Sequence, residues 1–262
     1  MKNILFVLLI CIVSLNAKIN SYVTVLPQKY FIEQIVGNKI TIRNMIKNGD
    51  NIDTYVPSLK QKNTIKKYIS LYFTFNLSWE KKYIKEFRII NNNLKIIELI
   101  EFDNKMNDEY KWLDPLFVKD IINKIYNNMV IIDPNNKLIY KRNYGKFLDQ
   151  LDLIYMNIKR DSLRTNNAKV FVFDDKFKYF FKRFNLKSKK LKLNKSFLTT
   201  KEILKMKEFI KNNKIKSILL LNNKYLKQAN IVSKYTGIKV INIDIFRYNW
   251  LSNISKIIKA FR

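Results

Sequence analysis

Histidine is absent from all 262 residues of this chain, and cysteine occurs once, at Cys11. The first absence removes the imidazole, both the commonest near-neutral acid–base group and a favoured nitrogen donor to transition metals. The second excludes an intramolecular disulfide. Glycine and proline are scarce as well, with four of each. Gly37, Gly49, Gly145 and Gly237 are too scattered to form a glycine-rich phosphate loop. A lysine or carboxylate base remains chemically available, but no motif sets one beside a nucleophile. The residues therefore point away from an enzyme.

Acidic residues are outnumbered, 21 Asp and Glu against 50 Lys and Arg, for a formal charge of +29. Such a balance raises the possibility of nucleic-acid or membrane-surface binding. The charge is spread along the chain, lysine far exceeds arginine, and only Lys187 to Lys192 approaches a cluster. Background composition of an AT-rich genome accounts for this better, and no nucleic-acid partner is expected. Long apolar runs are also missing. The longest, Ile4 to Leu15, is too short to span a bilayer. With Lys2 before it and Ala17 after it, Met1 to Ala17 reads as a secretory signal. Its removal would take Cys11 with it, because no small residues precede that cysteine to mark a lipidation site.

What remains alternates strand and helix patterns in two stretches, which predicts an α/β protein with mostly parallel sheets. In the first stretch the pattern gives strands at 22–26, 39–46 and 69–75, with helices at 27–36 and 79–90. In the second it gives strands at 169–173, 215–221 and 238–243, with helices at 177–184, 199–211 and 224–235. Thr199 and Glu202 have capping-box spacing. Between the stretches, Tyr144, Phe147, Leu148, Leu151, Ile154, Tyr155 and Ile158 recur at helical spacing. A single helix from Pro134 to about Leu163, capped by Asp133, would extend roughly 40 Å. The expected architecture is two lobes, 18–133 and 164–262, joined by one long rigid helix, 134–163, that packs along both.

Several segments resemble, in order and spacing, the periplasmic zinc- and manganese-binding proteins of bacterial ABC importers. They are Val25-Leu26-Pro27 with Gly37, the loop Gly49 to Pro57, Phe75 to Glu80, Trp112-Leu113-Asp114-Pro115, Phe177 to Phe180, Lys239 to Asp244 and Trp250 to Phe261. The resemblance covers nearly all of the chain after the signal, and Trp112 to Pro115 is its most specific part. It implies a metal-type solute-binding fold with four ligand positions, two from each lobe, converging on a cleft.

Those positions fall on Asp53, Tyr110, Asp174 and Asp244. Histidine is usual at the first two. The third is histidine in zinc-type members and a carboxylate in manganese-type members, and the fourth retains the family's aspartate. Asp108, Glu109 and Asp175 are near enough in sequence to substitute. Three carboxylates and a phenol are hard oxygen donors, suited to manganese, iron, magnesium or calcium and poorly suited to zinc. The resemblance thus implies a monomeric periplasmic protein that binds a divalent cation, manganese, iron or zinc, and delivers it to an ABC permease in the inner membrane. The alternative is a degenerate paralogue that keeps the fold, has lost its metal and serves as a protein-docking module. A cationic surface protein binding anionic lipid is a third possibility.

Overall fold

The computed structural model describes residues 18–47, 52, 54–101, 110–193, 197–221 and 223–262. The proposed signal Met1 to Ala17, the ligand candidate Asp53, and Asp108 and Glu109 lie outside the described residues.

The first lobe is built from β1 (Asn20–Val23), α1 (Leu26–Val36), β2 (Thr41–Asn44), α2 (Leu59–Tyr68), β3 (Leu71–Thr74), α3 (Ser78–Ile90) and β4 (Lys95–Glu98). Its sheet is parallel with strand order β2-β1-β3-β4. β3 is buried along its whole length, as a central parallel strand covered on both faces must be. Pro27 sits in the first turn of α1, where a missing N–H costs nothing. The Gln28 side chain accepts from the backbone N–H groups of Thr24 (2.7 Å) and Val25 (2.9 Å) at the head of this helix. Gly37 stops the helix at φ 59°, a left-handed value that costs a residue without a Cβ little.

Two helices lead out of this lobe, α4 (Pro115–Ile132) and α5 (Lys137–Leu163). Asp114 caps α4 as its sequence suggests, its Oδ1 accepting from Leu116 N at 3.0 Å. The long helix is present, with Pro134–Asn136 forming a 3-10 turn ahead of α5. Asp133 departs from the expected cap. Its Oδ2 accepts from Asn136 Nδ2 at 2.8 Å and from the Tyr140 hydroxyl at 2.5 Å, so it secures side chains and not a backbone N–H. Tyr140, Phe147, Leu151 and Ile158 form the buried stripe of α5. That stripe packs on α1 and α4 and, further along, on the closing helix of the second lobe.

The second lobe repeats the plan with β5 (Lys169–Val172), α6 (Lys178–Arg183), β6 (Lys187–Lys190), α7 (Thr200–Asn212), β7 (Ile215–Leu220), α8 (Leu226–Thr236), β8 (Lys239–Asn242) and α9 (Trp250–Ile257). Strand order is β6-β5-β7-β8, again all parallel. Thr199 and Glu202 form the expected capping box, and Gly237 closes α8 in the left-handed region. β6 lies on the edge with all four residues exposed, and its lysines discourage pairing with another chain.

One apolar core runs through both lobes and the interface between them, and a smaller one lies between the second sheet and α7 and α8. The interface also carries polar ties. Trp250 Nε1 donates to Trp112 O at 3.0 Å, and Phe31 meets Trp250 edge to face at 5.2 Å. Arg183 Nε donates to Asp114 Oδ2 at 2.7 Å, and that carboxylate is wholly buried. Hydrogen bonding to Asp114 pushes the guanidinium up from its ordinary range. Removing the arginine strands a buried carboxylate, a loss of roughly 3–5 kcal/mol when both partners are buried. Because the guanidinium is partly solvated, we expect Arg183→Met to lower unfolding stability by about 2 kcal/mol. Urea titration measures this, and a change within the error of the midpoint would show that the pair does not tie the lobes.

Candidate metal centre

In parallel α/β sheets, ligands bind beyond the carboxyl ends of the strands, where the strand order reverses. Here the reversals fall between β1 and β3 and between β5 and β7. The candidate residues follow strand ends: Tyr110 in the chain after β4, Asp174 just after β5 and Asp244 just after β8.

Tyr110 is buried and stands immediately before a 3-10 turn, Lys111–Leu113. Its ring packs beside Trp112 at 6.1 Å and Phe246 at 6.4 Å. The Lys176 ammonium lies 4.9 Å from the centre of the same ring. Lys176 is two residues beyond Asp174 and Phe246 two beyond Asp244, so the three loops meet where the lobes face each other. Each aspartate shapes its own turn. Asp174 Oδ1 accepts from Lys176 N at 3.2 Å, and Asp244 Oδ1 accepts from Phe246 N at 3.0 Å. Asn253 Nδ2 donates to Asp244 O at 3.0 Å and anchors that loop to α9.

The electrostatics of the cleft are mixed. Asp244 Oδ2 lies 3.7 Å from Arg247 Nε, while Asp175, the possible substitute, is exposed and paired with Lys190 at 2.9 Å. Among the described residues, no three acidic side chains come close enough together to hold a metal ion. A cation held here by described side chains would rest on Asp174, Asp244 and the Tyr110 oxygen.

Beneath Tyr110 lies a cavity of about 450 Å³ whose walls include Tyr55, Trp79, Tyr83 and Leu77. Tyr55 O accepts from Trp79 Nε1, and Tyr55 donates its hydroxyl to Met45 O at 2.6 Å, so the aromatic wall is tied to the residue just after β2. Behind it sits Glu80, fully buried at the head of α3. Glu80 accepts from Leu77 N at 2.8 Å and from Thr24 Oγ1, and Thr24 Oγ1 is 2.8 Å from the Tyr72 hydroxyl. Burial pushes the Glu80 carboxyl up to about 7 despite these hydrogen bonds.

The model of the periplasmic zinc-uptake complex component A family, ZnuA, matches residues 22–261. This chain belongs to that family. A Chlamydia trachomatis protein named for metal binding is 23% identical over 251 residues, covering 91% of this chain and 89% of its own length. A Thermotoga maritima protein named in the same way is 24% identical over 218 residues, covering 80% of this chain and 79% of its own. Among solved structures, ZnuA superposes with a TM-score of 0.79 at 22% identity, over 94% of this chain and all (100%) of that one. The zinc-bound ZnuA-like domain of Streptococcus pneumoniae AdcA gives 0.77 at 19% identity, over 93% and 97%. A manganese complex of FpvC from Pseudomonas aeruginosa gives 0.66 at 14%, over 93% and 98%. The two-lobed fold is therefore that of ZnuA-like proteins. The family is one of metal-binding solute carriers and not of enzymes, and its members are periplasmic. Among the described residues no helix is long and apolar enough to cross a membrane.

Lys176 and Phe246 on Tyr110, and the burial of Glu80, were invisible in the sequence, where no motif joins positions so far apart. Glu80 yields a pH prediction. Its carboxyl is raised from 4.5 to about 7 by folding, so between those values the folded chain holds a proton that the unfolded chain has lost. Its contribution to stability therefore falls as pH rises through that window, by roughly 3 kcal/mol in all. Glu80→Gln mimics the neutral acid: Oε1 accepts from Leu77 N and Nε2 donates to Thr24 Oγ1. The variant should melt above the parent at pH 8 and level with it near pH 5. A melting difference independent of pH would contradict this.

Proposed function

We propose that this protein is the periplasmic substrate-binding component of an ABC importer, working as a monomer with an inner-membrane permease. Its cargo is a divalent metal cation held by Asp53, Tyr110, Asp174 and Asp244, with manganese or iron favoured over zinc relative to histidine-containing relatives. The observation that carries this reading is the meeting of the Tyr110, Asp174 and Asp244 loops in one cleft between two ZnuA-like lobes. The donor set supplies the metal preference, because carboxylate and phenol oxygens lack the imidazole nitrogen that suits zinc. Secretion through Met1 to Ala17 fits the same reading.

A second reading has its own support. Lys176 over Tyr110 and Arg247 beside Asp244 place fixed positive charge where a cation would sit. That arrangement suits a paralogue that no longer carries metal and uses the fold to dock a partner.

Thermal melts of the parent and of Asp244→Asn, with and without manganese, separate the two. In the carrier, manganese raises the parent melting temperature, and Asp244→Asn weakens the cation by at least about tenfold, or 1.4 kcal/mol. In the docking paralogue manganese shifts neither melt, and Asp244→Asn is as stable as the parent or slightly more so. The preference for oxygen-type metals fails if zinc outcompetes manganese by as much as it does in a histidine-rich relative.

A further inference from the structure

Far from the cleft, the second lobe leaves α7 poorly covered. None of its side chains is buried, Leu204 is 63% exposed and Phe209 43% exposed. Between α7 and the chain leaving β6 runs a groove of about 480 Å³, within the ordinary range for small-molecule sites, roughly 300–1,000 Å³. Phe171, Leu191, Met206 and Phe209 supply its apolar surface, and Phe171 and Phe209 stack at 6.0 Å with 10° between their planes. Lys190, Lys192 and Lys205 stand at its edges.

We infer that this groove binds a single-chain amphiphile with an anionic head, a long-chain carboxylate, its tail on Met206 and Phe209 and its head between Lys192 and Lys205. Charge complementarity selects this occupant. Lys190 is engaged with Asp175 at 2.9 Å, whereas Lys192 and Lys205 have no ion-pair partner among the described residues. The acidic residue of the groove, Glu202, is committed to the helix cap, accepting from Thr199 N at 2.9 Å and Thr199 Oγ1 at 2.8 Å. An apolar trough lined by three lysines and one glutamate favours a tail joined to a negative charge over a neutral or cationic chain. The groove is bounded by α7, by Phe171 of β5, and by the end of β6 with the residues after it.

Isothermal titration of the full chain with dodecanoate below its micelle concentration tests the inference, with dodecyltrimethylammonium as the cationic comparator. Saturable one-to-one binding of dodecanoate is expected, at least about tenfold tighter than the comparator. The surface variant Lys192→Glu/Lys205→Glu should weaken dodecanoate by at least about tenfold. Met206→Glu should abolish binding, with circular dichroism checking its fold; if it does not fold, the lysine variant decides alone. Equal binding of both amphiphiles, or binding indifferent to the lysine variant, would overturn the inference. So would binding to phosphatidylglycerol vesicles without binding to dodecanoate, which would identify a membrane-surface contact instead.

Discussion

The structure depends on the interface between its two lobes, where aromatic rings share a core with a buried carboxylate, Asp114, paired to the half-exposed Arg183. Trp112 from the first lobe accepts from Trp250 of the second and packs against Phe246 at 6.0 Å. Tyr248 donates its hydroxyl to Glu33 and packs on Tyr30 at 5.3 Å. Burial, and then the Glu33 carboxylate, push that hydroxyl above its usual range, so it stays a donor at physiological pH. Such contacts are short, specific and far apart in sequence. They join the two lobes. α5 braces the same interface from outside, with Arg262 reaching back to Asp161 at 2.7 Å.

Within that frame, the chemistry of the cleft has moved away from the nitrogen donors usual in the resemblance. With histidine absent, oxygen donors remain, and the nearby ammonium and guanidinium groups compete electrostatically with any cation. The two effects act in opposite directions on metal affinity. For a cation held as proposed, the first would favour hard cations and the second would lower the affinity for all of them. The balance between them separates a selective carrier from a docking paralogue.

Much of the fold was legible because its elements are simple. β3 and β7 are apolar runs, Thr199 and Glu202 cap in register, and α5 repeats at helical spacing. β4 escaped despite Ile96 and Ile97, and two other missed elements carry little apolar signal. β6 is Lys-Ser-Lys-Lys with every residue exposed, and α2 buries only Ile65. Strand ends were read too long, as at 39–46, where Met45 and Ile46 are buried and still donate to Val23 O and Thr24 O just past the regular strand. Of the site, only the order of Tyr110, Asp174 and Asp244 after their strands could be read, through a resemblance of motifs. Lys176 over Tyr110 depends on how two lobes meet, and no local pattern encodes that.

Metal analysis of the protein purified without chelator and then equilibrated with manganese tests the central claim most directly. The account predicts close to one manganese or iron per chain, retained through desalting and lost on removal of Asp174 or Asp244. A chain that retains no metal after equilibration, while remaining folded, would contradict it.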